Sequence, residues 1–165
     1  MTIYTRGGDA GTTLLYGDLR MDKDAGMMEV CGNIDELSAS LGVVRTEELP
    51  LPFDTVIVRI QKDLITFCGE IVFGSPMVSS EHVQQIEAEI DRIESELLPL
   101  TQFVLAGENR SSALLHLSRT ICRRAERSLV TLYHTEKRSP YLIAYLNRLS
   151  DLLFVMARKC SPPVH

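Results

Sequence analysis

The stretch Ser111-Ser-Ala-Leu-Leu-His-Leu-Ser-Arg-Thr-Ile-Cys-Arg-Arg-Ala-Glu-Arg-Ser-Leu-Val-Thr-Leu-Tyr133 decides how this chain folds. Its apolar residues recur at three- and four-residue intervals, which is the spacing of one face of an α-helix. These residues are Leu114, Leu117, Ile121, Ala125, Leu129 and Leu132. The stretch therefore predicts a helix from about residue 111 to residue 133, with one face in a core.

Four further stretches carry the same periodicity, and none alternates convincingly as a strand would. They are predicted to run from about Asp24 to Thr46 (ended by Pro50 and Pro52), from about Asp54 to Phe73 (ended by Gly74-Ser75-Pro76), from Ser80 as N-cap, and from Ser139 as N-cap with Pro140 as first helical residue. Their apolar positions are Met27, Val30, Ile34, Leu37, Leu41 and Val44; Val56, Ile60, Leu64, Phe67 and Ile71; Val83, Ile86, Ile90, Ile93 and Leu97; and Leu142, Leu146, Leu149, Leu153 and Met156. The pattern predicts an all-α bundle of five helices in a single domain, residues 1–165.

Composition narrows the classes of function. The chain has 165 residues, 45% of them hydrophobic, and a net charge of -5, which argues against bulk binding to nucleic acid or to an anionic membrane. No apolar run approaches the ~18 residues that span a bilayer, and no secretory signal is visible, so we expect a cytoplasmic protein. Its cysteines, Cys31, Cys68, Cys122 and Cys160, lie far apart without a CxxC pair, which favours reduced thiols inside predicted helices.

Several common chemistries lack their motifs. The sequence contains no Glu-x-x-His for a di-iron bundle, no His-Glu-x-x-His for zinc and no Gly-x-Ser-x-Gly for a serine hydrolase. The histidines, His82, His116, His134 and His165, fit surface or packing roles better than metal ligation. No resident metal site is expected.

The segment Ile3-Tyr4-Thr5-Arg6-Gly7-Gly8-Asp9-Ala10-Gly11-Thr12-Thr13 precedes the first helix. Glycines allow close approach of backbone N–H groups, hydroxyls donate hydrogen bonds and Arg6 supplies charge, which together favour a polyanion site. It is not a Walker A loop, because Gly7 and Gly11 are one residue too close and no Gly-Lys-Ser/Thr follows. A flexible terminus is the alternative interpretation.

Charged residues concentrate on the fourth predicted helix. Arg119, Arg123 and Glu126 share a face, and Arg124 and Arg127 flank it. The arrangement fits either a solvated face with ion pairs or a guanidinium cluster that binds phosphate.

Two other helices carry polar residues that a bundle does not need. Asp35 and Glu36 of the first helix either favour the helix dipole or, in the case of Asp35, neutralise and orient an arginine. Asn147, Ser150 and Asp151 fall on or near one face of the fifth helix.

Three separated segments resemble the PduO-type ATP:cob(I)alamin adenosyltransferases. They are Tyr4 to Thr13, Gly32-x-x-Asp35-Glu36-Leu37, and the pair Arg123-Arg124-Ala-Glu126-Arg127 with Leu146-Asn147-Arg148-Leu149-Ser150-Asp151. The resemblance covers nearly the whole chain. It implies a five-helix homotrimer with ATP between subunits, in which residues 1–23 form a nucleotide-binding segment and residues 24–160 the bundle. It also implies transfer of the 5′-deoxyadenosyl group of ATP to cob(I)alamin, with release of triphosphate.

The resemblance also implies roles for individual residues. The triphosphate, with Mg²⁺, would be bound by Thr5, Arg6, Gly7, Gly8, Asp9, Gly11, Thr12, Thr13 and Lys23, and the nucleotide site would be completed from the adjacent subunit by Arg123, Arg124, Glu126, Arg127 and Asn147. Asp35 and Arg119 match a pair that forms a salt bridge across the interface. Phe103 matches the aromatic residue that covers the lower face of the corrin and helps remove the lower axial ligand; on its own it fits a core aromatic equally.

Two departures from the family pattern bear on activity. Ala10 stands where the family usually has lysine, so one charge that would face phosphate is missing. Glu108 stands in Ala106-Gly107-Glu108, where the family usually has Pro-Gly-Gly, and adds bulk and negative charge near the expected corrinoid site. They favour, as an alternative, a carrier or sensor that binds ATP or adenosylcobalamin without turnover. A cobalamin reductase and an adenosylcobalamin-dependent enzyme are the partners expected of an active enzyme.

Overall fold

The structure is a computed structural model that describes residues 3–100 and 103–161. A short hairpin precedes a helical bundle within these residues. The elements are β1 (Thr12–Tyr16), β2 (Leu19–Asp22), α1 (Gly26–Val44), α2 (Phe53–Phe73), α3 (Ser80–Glu94), α4 (Arg110–Tyr133) and α5 (Pro140–Cys160). The predicted all-α five-helix bundle is confirmed. Helix ends differ from the prediction by at most two residues, except that α3 ends at Glu94, three residues before the predicted helical position Leu97.

Side-chain caps fix where three helices begin. Asn109 Oδ1 accepts the N–H of Ser112 over 2.8 Å at the start of α4. Ser139 Oγ accepts the N–H of Tyr141 over 3.2 Å before Pro140, as the sequence predicts. The predicted cap of α3 at Ser80 is wrong by one residue, because Ser79 is the N-cap and its N–H donates to His82 Nδ1 over 3.1 Å.

The helices pack through α1, α4 and α5 at the centre, with α2 against α1 and α3 against α5. α2 also contacts α5: the rings of Phe67 and Tyr145 lie 6.3 Å apart, and the Tyr145 hydroxyl donates to Asp63 Oδ2 over 2.9 Å. Burial raises the pKa of Tyr145 well above its usual value, so it stays a neutral donor.

The predicted apolar faces form the core with one clear exception. Nearly all predicted positions on α1, α2 and α5 are fully buried. Leu117 of α4 was expected in the core but is exposed, and Leu115 is buried instead. Ser118 lies on the buried face of α4, and Leu117 is turned about 100° away from it around the helix, outside that face. All cysteines lie in helices and are free, as predicted.

The hairpin corrects the expectation that the chain has no strand. β1 and β2 pair antiparallel, with Thr12 opposite Asp22 and Leu14 opposite Arg20. β1, Thr12-Thr-Leu-Leu-Tyr16, does not alternate apolar and polar residues, and β2 does alternate but has only four residues, so neither strand stands out in the sequence. The turn itself was detectable, since a two-residue Gly17-Asp18 link between such runs is a hairpin signal.

A buried carboxylate holds the connection between α2 and α3. Glu70 is 1% exposed, and its Oε2 accepts the N–H groups of Met77 and Val78, each over 2.7 Å. Two charge-assisted bonds to backbone donors satisfy the buried carboxylate and fix the loop.

Within the described ranges, no helix has the length and apolarity that crossing a bilayer requires.

Candidate active site

The glycine-rich segment before β1 adopts a tight, defined turn. The N–H of Asp9 donates to the Arg6 carbonyl over 3.3 Å, that of Gly11 to the Gly8 carbonyl over 3.2 Å, and that of Lys23 to the Gly11 carbonyl over 2.9 Å. Arg6 has φ +60° and Gly11 has φ +84°. The left-handed backbone at Arg6 costs about 1 kcal/mol, and such strain concentrates at functional sites.

Three cations surround this turn. The Arg6 guanidinium carbon lies 5.8 Å from the centre of the Tyr4 ring. Lys23 lies so close to the turn that a Cβ added to Gly8 would stand 3.2 Å from Lys23 Nζ. Arg20 of β2 bonds directly to the segment. The segment is therefore exposed, positively charged and rich in donors, which are the properties of an anion site.

The arginines of α4 divide into a paired and an unpaired set. Arg124 forms an ion pair with Glu36 of α1, and its Nε donates to Asn33 Oδ1 over 3.3 Å. Arg123 and Arg127 are exposed, and no acidic side chain within the described part of the chain pairs with either of them. Arg127 Nη1 donates to the Arg123 carbonyl over 3.0 Å.

A polar chain beside these arginines links α4 to α5 and α3. Asn147 Nδ2 donates to Glu126 Oε1 over 3.3 Å, Arg148 Nη1 donates to Asn147 Oδ1 over 2.8 Å, and Arg148 Nε donates to Glu87 Oε1 over 2.9 Å. Hydrogen bonds thus give Glu126 and Asn147 defined positions, and Glu126 lies one turn after Arg123 on α4.

Asp35 and Arg119 are not paired within one chain. Asp35 is exposed and lines a groove between α1 and α2, together with Cys31 and Cys68. Arg119 is half-buried, and its Nε donates to His116 Nδ1 over 3.4 Å. The helix-dipole interpretation of Asp35 is wrong, because α1 begins at Gly26 and Asp35 lies in its third turn, beyond the reach of the N-terminal dipole.

The connection between α3 and α4 exposes a group of apolar side chains. Phe103 is fully exposed, so the core-aromatic interpretation is excluded. Leu98, Leu100 and Leu105 are also exposed along the same connection. Contiguous exposed apolar residues of this kind are typical of a ligand or partner surface.

The thiols do not offer an evident nucleophile at the cationic turn. Burial raises the pKa of Cys122, which is fully buried, and raises that of Cys160 to about 11. A hydrogen bond from the Cys68 thiol lowers the pKa of Cys31, but both lie in the α1–α2 groove.

The predicted residues therefore form separate groups in one chain: the N-terminal turn, the α4–α5 arginine face, the Asp35 groove and the Phe103 loop. The side-chain hydrogen bonds of the turn within the described residues all join residues between 5 and 20. Sequence reasoning missed Arg20 and the Arg124–Glu36–Asn33 contacts. The hairpin signal at Gly17-Asp18 could have placed Arg20 near the turn, whereas cross-helix partners have no local signal.

Comparison with known proteins shows which family has this sequence and fold. The family model described as cobalamin adenosyltransferase matches residues 3–160. The corrinoid adenosyltransferase PduO of Salmonella typhimurium is 37% identical across 100% of this chain, which spans 51% of that protein. The cobalamin adenosyltransferase of Cupriavidus metallidurans is 40% identical over 94% of this chain and 86% of its own length.

Solved structures agree. A phenylalanine-to-alanine variant of the PduO-type ATP:corrinoid adenosyltransferase from Lactobacillus reuteri, complexed with cobalamin and ATP, superposes with a TM-score of 0.86 at 26% identity, over 95% of this chain and 92% of that one. An arginine-to-lysine variant complexed with ATP gives 0.87 at 27% identity, over 95% and 93%. Family model, relatives and fold coincide along nearly the entire chain, and this protein belongs to the cobalamin adenosyltransferase family.

Proposed function

We propose that this protein transfers the 5′-deoxyadenosyl group of ATP to the cobalt of cob(I)alamin or a related corrinoid. The Co(I) electron pair attacks C5′ of ATP, the C5′–O bond breaks, and triphosphate leaves with that electron pair. A cobalt–carbon bond forms and the metal becomes Co(III). The substrate is itself the nucleophile, so the protein has to align two substrates and stabilise a leaving group rather than supply a nucleophile.

The observation that carries the proposal is the pair of exposed guanidinium groups on α4. Arg123 and Arg127 have no acidic partner within the described residues, although acidic side chains neutralise Arg124, Arg148 and Arg110 nearby or on the same helix. Two unneutralised arginines favour binding of a polyanion, and planar guanidinium groups suit phosphate oxygens. The triphosphate that leaves has the charge they would stabilise.

The N-terminal turn supplies the second half of the nucleotide site in this proposal. Its exposed hydroxyls, glycine amides and cations fit a triphosphate, which we assign to Thr5, Arg6, Gly7, Gly8, Asp9, Gly11, Thr12, Thr13 and Lys23. We place this turn against the Arg123, Arg124, Glu126, Arg127 and Asn147 face of a neighbouring subunit. Mg²⁺ would enter with the nucleotide, because this ion binds mainly through phosphate oxygens and water.

A homotrimer would complete each site. Asp35 lies on an apolar groove whose wall includes Ile65, which is 74% exposed, and Leu117 is exposed two residues before Arg119. We propose that the Asp35 groove of one subunit receives the Arg119 region of the next. This contact would bury the apolar side chains that a single chain leaves in water.

The corrinoid would bind at the exposed Phe103 loop. An aromatic face against the lower side of the corrin would displace the lower axial ligand and favour reduction of cobalt to Co(I). The alternative of a non-catalytic carrier rests on Ala10 and Glu108. Glu108 is exposed in the same loop, while the cations of Arg6, Arg20 and Lys23 surround the turn that contains Ala10.

We further propose that the enzyme works in the cytoplasm. There a cobalamin reductase would supply the Co(I) substrate, and an adenosylcobalamin-dependent enzyme would consume the product.

An anaerobic spectral assay tests the activity. Chemically reduced cob(I)alamin, Mg²⁺-ATP and protein should lose the Co(I) spectrum and form a light-sensitive alkylcobalamin. Arg123→Met should lower kcat by about 10²-fold, the usual effect of removing one preorganised donor to developing charge. Arg110→Met is the matched control, because Arg110 lies on the same helix but pairs with Glu47.

The outcomes separate the alternatives. No conversion with retained ATP binding would contradict the enzyme and favour the carrier, and Ala10→Lys would be the next variant to assay. No ATP binding at all would contradict both. Equal rates for the Arg123 and Arg110 variants would remove Arg123 from the site.

A further inference from the structure

Arg20 is an exposed residue of β2 to which neither the motifs nor the comparisons give a role. Its Nη2 donates to the Gly7 carbonyl and, over 2.7 Å, to Thr12 Oγ1, while its Nε donates to the same Oγ1 over 3.2 Å. One guanidinium group thus connects the first and last parts of the glycine-rich turn. The hairpin makes this possible: Arg20 stands opposite Leu14, and Thr12 is its diagonal neighbour on the same face.

These bonds determine which groups of the turn face outward. A threonine hydroxyl has two acceptor sites and one donor. Arg20 Nε and Nη2 occupy the acceptor sites of Thr12 Oγ1, so its O–H is left to donate elsewhere. Because a positive charge lies on the accepting side, the hydroxyl is also polarised toward donation.

The hydrogen bond from Arg20 to the Gly7 carbonyl orients a backbone donor. In a trans peptide the C=O and the following N–H point in opposite directions. Holding the Gly7 carbonyl toward Arg20 therefore directs the Gly8 N–H away from it. That N–H donates no hydrogen bond within the described residues. Two free donors, the Thr12 hydroxyl and the Gly8 amide, are thus oriented by one side chain.

We propose that Arg20 is a positioning residue for the triphosphate: it orients the Thr12 hydroxyl and the Gly8 amide toward the anion. This inference rests on the proposed function. Its role is distinct from that of Arg123, which would contact the anion itself. Ordering these donors before ATP arrives lowers the entropic cost of binding, so the effect should fall on the nucleotide and not on the corrinoid.

Steady-state kinetics of Arg20→Met and Arg20→Lys test the proposal. We expect Arg20→Met to raise KM for ATP about tenfold, the loss expected for charge-assisted bonds at an exposed site, with KM for cob(I)alamin and the melting temperature unchanged. Lysine keeps the positive charge but lacks the planar, forked guanidinium group. The KM for ATP of Arg20→Lys should therefore lie between those of the wild type and Arg20→Met. Arg110→Met, another exposed arginine, should match the wild type. A KM for ATP within twofold of wild type in Arg20→Met would overturn the proposal.

A double-mutant cycle separates positioning from direct contact. If Arg20 acts partly through Thr12, Arg20→Met should raise KM for ATP less in the Thr12→Val background than in the wild type, with the remaining effect due to the Gly8 amide. Full additivity of the two changes in KM for ATP would overturn the positioning role and indicate direct contact with the ligand.

One readout does not depend on turnover. Backbone ¹⁵N order parameters of residues 7–12 without ATP should fall in Arg20→Met and stay unchanged in Arg110→Met. Unchanged order parameters would overturn the proposal even if the chain proved inactive. If the order parameters fall in Arg20→Met but the wild-type protein transfers no adenosyl group, the role of Arg20 in ordering the turn is supported. That result would contradict only the proposed function.

Discussion

At the scale of one residue, the packing around His116 determines its protonation state. It is 4% exposed on α4, and burial lowers its pKa; the charge of Arg119 lowers it further and Glu108 opposes the change. Its Nδ1 accepts from Arg119 while its ring lies 6.0 Å from that of Phe154. The folded protein therefore favours the neutral imidazole.

The stability of the protein should depend on this residue below neutral pH. Because the folded pKa lies below the unfolded value of about 6.5, the unfolded state binds more protons as pH falls through 6.5. The free energy of unfolding should thus be retained above pH 6.5 and decrease from pH 6.5 downward until the folded pKa is passed. His116→Gln should flatten this decrease in urea unfolding between pH 7.5 and 5.5.

The control is Ser118→Ala, a change at another buried polar residue of the same helix whose side chain does not titrate in this pH range. We expect it to keep the wild-type pH dependence. A His116 variant whose stability fell with pH as steeply as the wild type would contradict the assignment.

At the scale of the helix, glycine has opposite effects inside an element and at its end. Gly74 caps α2 with φ +70°, a conformation that costs a residue with a Cβ about 1 kcal/mol. Gly42 lies inside α1, where an added Cβ would have its nearest neighbour, Gln61 Nε2, at 3.7 Å. There glycine only adds flexibility to the unfolded chain.

Alanine at the two positions should therefore change stability in opposite directions. Gly74→Ala should lower the free energy of unfolding by about 1 kcal/mol, and Gly42→Ala should raise it by about 0.5–1 kcal/mol. Chemical denaturation of both variants beside the wild type measures this. A change in the free energy of unfolding with the same sign in both variants would contradict either the left-handed conformation of Gly74 or the free space beside Gly42.

At the scale of the whole molecule, one chain leaves its predicted site in separate parts. The trimer would join them, so sedimentation of the 18.5 kDa chain should give a particle of three chains. Charge reversal at one side, Asp35→Lys or Arg119→Glu, should weaken assembly, and the double reversal should restore it. Arg110→Glu should assemble normally, as this arginine pairs within its own chain. A monomer at concentrations that bind ATP, or no rescue by the double reversal, would contradict the arrangement.

Prediction from sequence succeeded where the signal is local and repeated. The helix faces that contain Leu37, Phe67 and Leu149 follow the helical period. In a bundle each such apolar face has to pack against other helices, so the period predicts which residues are buried. It failed at Leu117, whose apolar side chain fits the helical period but lies outside the buried face of α4. It also failed at the hairpin, whose strands have only five and four residues, too few for a periodic pattern to stand out. For the site, the motifs predicted which residues matter, and their roles stay predictions.

The sequence by itself determined the five helices, most of their boundaries and the family, because periodicity, capping residues and linear motifs are written in neighbouring positions. Only the tertiary structure decided that Glu36 and Asn33 hold Arg124, that Arg123 and Arg127 stand exposed, and that Arg20 holds Gly7 and Thr12 together. Such pairings join residues distant in sequence or on separate strands. Helix packing selects the partners of Arg124, and no local pattern of residues encodes it. The Gly17-Asp18 turn predicts a hairpin, but which atoms Arg20 bonds depends on the folded turn.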